Sequence, residues 1–432
     1  MLELVKWLTL ALVFLLGPML LIHELGHFIS GKLAGVRVLE FGFGFPPRLF
    51  VFAREKGELV VDGLRMTLPS RLKIPKGLEP MHNVEVLAQR EEEGSYRATR
   101  IAQSVGAPGR EETADGLRVR GSLTVLEPGT RYSLNLLPMG AFVRLLGEED
   151  PSHPRSLAAQ SKRWRLTVLL SGVLLNLLSA WLIMTAAYMT GVPDRYFVEI
   201  DSVVPDTAAE TAGLQAGDVI VAFNGERLQD GPGDLRERIL AVPEEAVTLE
   251  VVRDDETLAI PATPGTVDGQ GYLGIAMRAW PDAQSAVRYS FFPALGAAGH
   301  EFVDLLRRVF SLPRMLEGGE IQPSDIRPVA LPGILQWLGL SLKQSVEWGL
   351  AFPALHLTAM ISFAIGLTNL LPLPGLDGGR ALFVLIEALR GRRVSPMVEA
   401  TVHMIGLAIL IVLSVFIIIQ DIVNPIIDWS LF

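Results

Sequence analysis

Four stretches of this 432-residue chain, 7–29, 166–192, 351–374 and 400–419, are almost free of charge. Each is close to the ~20 residues that cross a ~30 Å hydrocarbon layer at ~1.5 Å per residue. Backbone in lipid must satisfy its own hydrogen bonds, so such stretches read as helices. The whole chain is 20% charged with a mean hydropathy of +0.37, against ~25% charged for ordinary soluble proteins. The expected fold is a polytopic α-helical membrane protein with about four transmembrane helices, membrane-associated β-strands and one extracytoplasmic α/β domain. A net charge of −9 offers no basic face to nucleic acid. The absence of cysteine excludes disulfides, thiolate metal sites and cysteine nucleophiles, so any metal falls to His, Asp or Glu. The first apolar run lacks a small-residue cleavage site and carries His23, Glu24 and His27 near its end, so it reads as retained rather than as a signal peptide.

Flanking charge sets the expected orientation, because short cytoplasmic loops collect Lys and Arg. Lys32, Arg37 and Arg48 follow the first span; Lys162, Arg163 and Arg165 precede the second; Arg380, Arg390, Arg392 and Arg393 lie between the third and fourth. This places the N-terminus outside, 30–165 and 375–398 in the cytoplasm, and 193–347 on the outer face. The expected organisation is a first span with strands over 1–55, a polar and flexible cytoplasmic insertion over 56–130, and a strand pair with the second span over 131–192. A compact α/β module follows over 193–282, then an amphipathic helical region over 283–347, and the last two spans over 348–432.

HELGH, His23 to His27, is the sharpest chemical feature. Histidines at i and i+4 share one helical face, so both imidazoles reach one ion while the intervening Glu24 stands beside it. Unpaired ionisable groups in an apolar span cost several kcal/mol, which makes a functional role the default reading. A catalytic zinc has three protein ligands and an open position, so a third ligand is needed. Asp377, at the tip of the Pro- and Gly-broken run ending the third span, is the candidate. Non-helical backbone at membrane depth survives only where protein buries it or a wet cavity meets it. A solvated Asp in an interfacial turn is the plainer alternative for that motif taken alone.

HELGH in the first span together with NLLPLPGLDGG at 369–379 resembles the site-2 protease family of intramembrane zinc metalloproteases, in its bacterial, PDZ-containing form. FGFGFPPRLF at 41–50 resembles that family's membrane-associated β-hairpin, and LPMGAFVRLLGEED at 137–150 its PLGGYV-type strand. SGVLLN at 171–176 resembles its GPxxN pattern, and SVVPDTAAETAGLQAGDVIVAFNG at 202–225 is similar to a bacterial PDZ core. Val173 stands in place of the Pro of GPxxN and Ala141 in place of a Gly of PLGGYV, neither at a ligand position. The stretch 56–129 has no counterpart.

The resemblance implies that His23, His27 and Asp377 hold Zn²⁺, that Glu24 is the general base, and that Asn369 contacts the scissile peptide or its oxyanion. Asn176 is expected to pair helices. The strand region near Phe41 to Phe50, with Gly42, Phe43 and Gly44, and the strand ending in Leu137 are expected to receive an unwound substrate by edge pairing, with simple membrane anchoring as the plainer alternative. Tyr272, Leu273, Gly274 and Ile275 resemble a PDZ carboxylate-binding loop for a peptide C-terminus. A sterically excluding module without peptide binding stands beside that reading. The implied substrates are single-span membrane proteins, such as anti-sigma factors, or signal-peptide remnants, cut within the inner (cytoplasmic) membrane. The alternatives are an inert scaffold recruiting partners through the PDZ-like module, or a membrane zinc protease of soluble chains whose third ligand is a downstream Glu. Glu40 and Glu55 are poorly placed for that ligand, because FGFGFPP is not helical.

Overall fold

The computed structural model describes all residues except 1, 76, 92–94, 105, 255, 268, 319–326 and 426–432. The chain opens with helix α1 (Leu2–Leu33). Strands β1 (Val38–Arg54), β2 (Gly57–Val61), β3 (Leu64–Leu68), β4 (Asn83–Arg90), β5 (Tyr96–Gln103), β6 (Gly109–Thr113), β7 (Gly116–Glu127) and β8 (Arg131–Leu145) follow, and then α2 (Lys162–Thr190). Next come β9 (Tyr196–Val203), α3 (Ala208–Thr211), β10 (Val219–Phe223), β11 (Glu226–Arg227), α4 (Pro232–Leu240), β12 (Val247–Arg253) and β13 (Glu256–Ala262). The hairpin β14 (Gly265–Val267) and β15 (Gln270–Tyr272) leads into β16 (Ile275–Pro281), and helices α5 (Phe291–Glu317), α6 (Leu331–Glu347), α7 (Phe352–Leu370), α8 (Asp377–Arg390) and α9 (Pro396–Val423) complete the described chain. Two compact units result: Met1–Trp181 with Ile321–Leu340 and Thr358–Phe432, and Leu182–Glu320 with Ser341–Leu357.

Among the described residues, α1, α2, α7 and α9 are the helices long and apolar enough to span a bilayer; α1 and α9 lie wholly in the first unit, while α2 and α7 are divided between the two. α9 leaves Ile409, Val412 and Phe416 62%, 70% and 64% exposed, the apolar surface that lipid covers and water would not tolerate. α1 carries a π-helical turn at Leu12–Leu16 just ahead of Pro18, whose missing N–H the wider turn accommodates.

β1 and β8 are long and bent, and their arms pair antiparallel except that 40–43 runs parallel to 131–134. Each folds back, so the backbone order across the sheet is 48–54, 131–137, 38–45, 141–145. Gly42 pairs with both Phe142 and Ser133, and Phe43 with both Ala141 and Leu134. Gly42, Phe43 and the strand ending at Leu137 therefore have neighbours on both sides and offer no free edge, whereas Arg48 to Phe50 of the expected 41–50 region lie on one. Gly44 lies in the same segment, with φ of +74° and the Leu137 carbonyl against it, close enough to exclude a side chain. The free edges are 48–54 and 141–145.

The second departure concerns 56–130. This stretch folds into a six-stranded sheet of order β2-β3-β5-β4-β7-β6 around its own core of Leu59, Val61, Met66, Val84, Val86 and Leu123. Inward apolar residues alternate with outward Arg and Glu, which pair across strands, as Arg120 does with Glu85 at 2.5 Å. The polar composition is thus that of one face rather than of an unfolded segment.

The second unit contains the α/β module, a sheet of order β13-β12-β10-β9-β16 with β11 on β10. Its core of Val198, Ile200, Ile220, Leu235 and Leu249 includes residues from α4. Asp218 of the AGD run is buried, accepting from Arg253 Nε at 2.6 Å and from the Gln215 amide at 2.8 Å, so its role is to tie the turn. In the same unit Glu301 of α5 accepts from Tyr188 and His356, both at 2.6 Å, which gives His356 a carboxylate partner.

Candidate metal centre

The geometry at HELGH starts from glycine. A Cβ on Gly26 would stand 2.5 Å from the Ser171 carbonyl oxygen, and one on Gly172 would stand 2.6 Å from His27 Nε2 and 2.8 Å from His23 Cε1. Two glycines therefore let α1 and α2 approach closely and leave room for the imidazoles. Asp377 arrives from the other side. Its helix α8 begins at the Asp itself, after the broken run 371–376, and a small core of Val36, Leu157, Val168, Leu169, Ala381 and Val384 packs α8 against α2 and the end of α1. Gly378 and Gly379 fit where any Cβ would meet the carbonyls of Leu370 and Leu373, at 2.3 and 2.1 Å, so the tight turn requires both. His403 of α9 accepts from the Gly375 amide at 3.0 Å and steadies the same turn.

The result is a triangle of ligand atoms. His23 Nε2 and His27 Nε2 are 3.3 Å apart, and Asp377 Oδ2 lies 3.0 Å from the first and 3.1 Å from the second. Tetrahedral ligands each ~2.0–2.1 Å from a zinc ion are about 3.3 Å apart, so the donor set and its spacing fit Zn²⁺ with one face open. The other ring nitrogens are held as such a site requires. His27 Nδ1 donates to the Val168 carbonyl at 2.8 Å, leaving Nε2 its lone pair. His23 Nδ1 lies 3.4 Å from the Asn176 amide nitrogen, while the buried Asn176 Oδ1 has no partner. Amide orientation is settled by the network around it. Turning this amide places Oδ1 on His23 Nδ1–H, which satisfies both groups and frees Nε2 of His23.

Glu24 accepts from the Val143 amide at 3.0 Å. Val143 belongs to the edge segment 141–145, so the strand edge nearest the metal ligands was not singled out in the sequence. A cavity of about 360 Å³ joins His23, Glu24, His27, Val143, Asn369 and Asp377. Asn369 lies on the last turn of α7 and donates to the Ile365 carbonyl at 3.1 Å. Arg380, one turn beyond Asp377, is ion-paired to Glu148, and both line the same cavity. The competing glutamates are engaged elsewhere: Glu40 is fully buried and bonded to Arg48 and Ser133, and Glu55 to Lys32 and Tyr132. In the second unit, Leu273 packs in the module core and its carbonyl accepts from the Ala209 amide, while Tyr272 is exposed. Gly274, φ +87°, sits where a Cβ would strike Thr207, and Ile275 opens the edge strand β16.

Two imidazoles one helical turn apart, a carboxylate from a separate helix and a glutamate beside them held by a backbone amide define a metalloprotease site set among apolar helices. A model of peptidase family M50 matches residues 11–61 and 116–413. The chain belongs to this family. It is 28% identical to the zinc metalloprotease RasP of Geobacillus kaustophilus, covering 96% of this chain and 97% of that protein. It is equally similar to the regulator of sigma-W protease RasP of Bacillus subtilis, over 96% and 98% of the two chains, and 24% identical to a putative zinc metalloprotease of Rhizobium meliloti over 94% and 93%. The PDZ domain of an SdrC-like protein from Listeria monocytogenes aligns with 20% of this chain and 90% of its own at 20% identity, with a TM-score of 0.18. The chain is a zinc-dependent metalloendopeptidase and a multi-pass membrane protein, which sets aside the inert scaffold.

Proposed function

We propose that this intramembrane protease cleaves the transmembrane segments of single-span membrane proteins, such as anti-sigma factors or signal-peptide remnants, near the cytoplasmic side of the inner membrane. The observation that carries the reading is HELGH on an apolar 32-residue helix with Asp377 Oδ2 at 3.0–3.1 Å from both imidazoles. His23, His27 and Asp377 would hold Zn²⁺, which would supply the Lewis acid that makes water a nucleophile near neutral pH. Glu24 takes a proton as the water oxygen attacks the scissile carbonyl carbon. It then returns that proton to the nitrogen as the C–N bond breaks, and the second water proton passes from the new carboxylic acid to the amine, leaving a carboxylate and an ammonium. The Val143 amide keeps the Glu24 carboxylate in place meanwhile.

A helical substrate hides its peptide bonds, so it must be extended before cleavage. Segment 141–145 presents the free edge beside Glu24, and pairing there aligns an extended strand with the cavity. Asn369, on the cavity wall, exchanges its bond to Ile365 for one to the scissile peptide or its oxyanion. The PDZ-like module over 193–282 sits on the extracytoplasmic side with the N-terminus and filters substrates. The backbone of Tyr272, Leu273, Gly274 and Ile275 would receive a peptide C-terminus, and simple exclusion of bulky ectodomains is the competing mode.

The test is a single-span reporter co-reconstituted with the full chain in liposomes, its products mapped by mass spectrometry. The expected cut lies within the apolar segment towards its cytoplasmic end. Cuts confined to soluble flanks would overturn the substrate class.

A further inference from the structure

Outside the catalytic cavity, a pocket of about 1020 Å³ lies between the back of β1, the turn after β3 and the start of β8. Its charged lining is of one sign: Arg37, Arg54, Arg71, Lys73 and Arg131, with no Asp or Glu among the lining residues. Two of these touch acids outside the pocket, Arg131 through Glu40 at 3.4 Å and Arg37 through the field of Glu127. Among the described residues no carboxylate pairs with Arg54, Arg71 or Lys73, and the buried Nε of Arg37 has no partner. Burial and the neighbouring guanidiniums of Arg48, Arg54 and Arg144 together push Arg131 below the usual arginine range, although Glu40 opposes them. Like charges gathered in one pocket repel, and a bound anion relieves that repulsion.

Apart from Ser70, the rest of the side-chain lining is apolar. Val51, Phe52, Leu72 and Ile74 share the walls with the five cations. Val51 and Phe52 also continue an exposed apolar stretch, in which Leu49 and Phe50 are 54% and 53% exposed. A soluble anion has no use for that stretch, whereas an amphiphile has both ends matched: apolar side chains for its chains and guanidiniums for its headgroup. We infer that this pocket binds the phosphate of an anionic phospholipid, with Arg54, Arg71 and Lys73 as its free cations and the 49–52 segment lying among the acyl chains. The inference rests on the membrane reading above. It gives the folded 56–130 region a task, since its 70–74 turn supplies Arg71 and Lys73 and so ties the sheet to the membrane surface.

The experiment uses the full chain in phosphatidylcholine nanodiscs doped with phosphatidylglycerol, bound lipid being counted by native mass spectrometry after extraction into detergent. Wild type retains phosphatidylglycerol above its share of the bilayer. The double variant Arg71→Gln/Lys73→Gln lowers the apparent affinity about 30-fold, at the usual strength of two basic residues at an anionic surface. Arg71→Lys keeps it. Both side chains are exposed and outside the catalytic machinery, so zinc content and reporter cleavage in the same discs report folding and the protease reading separately. Equal phosphatidylglycerol retention by wild type and the double variant would overturn the site. Displacement of the lipid by inorganic phosphate alone would assign the pocket to a free anion instead. Saturable binding of a poly-glutamate peptide with no lipid preference would assign it to an acidic protein segment.

Discussion

At the scale of single residues, this site is made by what is missing as much as by what is present. Gly172 has no side chain where one would strike both imidazoles. Gly172→Ala is therefore expected to remove zinc from the purified protein while α2 stays helical. Zinc analysis beside circular dichroism checks it, and a full zinc complement in the variant would contradict the packing described. Asn176 acts at one remove, by fixing the ring of His23 through Nδ1. Asn176→Ala is expected to weaken zinc affinity about 10- to 100-fold, the usual cost of losing a partner behind a metal-bound histidine, as read by competition with a chelator. HELGH was legible because its spacing is that of a helix face, and Asp377 because Pro and Gly broke an apolar run beside it. Asn176 was read as a helix-pairing residue, since an amide in a span looks the same in sequence whether it touches a helix or a ligand.

At the scale of elements, the helix starting at Asp377 is aimed by its neighbours. The turn before it is pinned by His403 on α9, and α8 is bound to α2 by Arg165 and Glu387 at 2.5 Å. His403→Phe removes the acceptor of the Gly375 amide without emptying the space. It is expected to lower zinc affinity with little change in thermal unfolding, and unchanged affinity would mean the turn holds itself. The strands show where sequence reading stopped short. FGFGFPPRLF was correctly seen as strand, yet the two-sided pairing of Gly42 and Phe43 follows from β8 folding back on β1. Nothing local to either segment records that long-range pairing, nor that it leaves 141–145 as an edge whose Val143 amide meets Glu24.

At the scale of the whole molecule, the apolar spans were plain from composition because the bilayer imposes both their length and their lack of charge. The folded sheet at 57–127 was hidden for the opposite reason, since its exposed face carries so many charges that the alternating core positions are diluted. Hydrogen exchange on the full chain is expected to show strong protection at Val84, Val86 and Val119, which are fully buried. Rapid exchange there would return the region to a flexible linker. The central claim is that one zinc centre within the apolar helices performs the hydrolysis with Glu24 as its base. The most direct measurement is zinc content together with cleavage of a single-span reporter in liposomes, for wild type, Glu24→Gln and Asp377→Asn. The prediction is about one zinc per chain in wild type and Glu24→Gln, with cleavage falling by ~10²–10⁴ or more in the latter, and zinc lost from Asp377→Asn. Wild type without zinc, or Glu24→Gln cleaving at the wild-type rate, would contradict it.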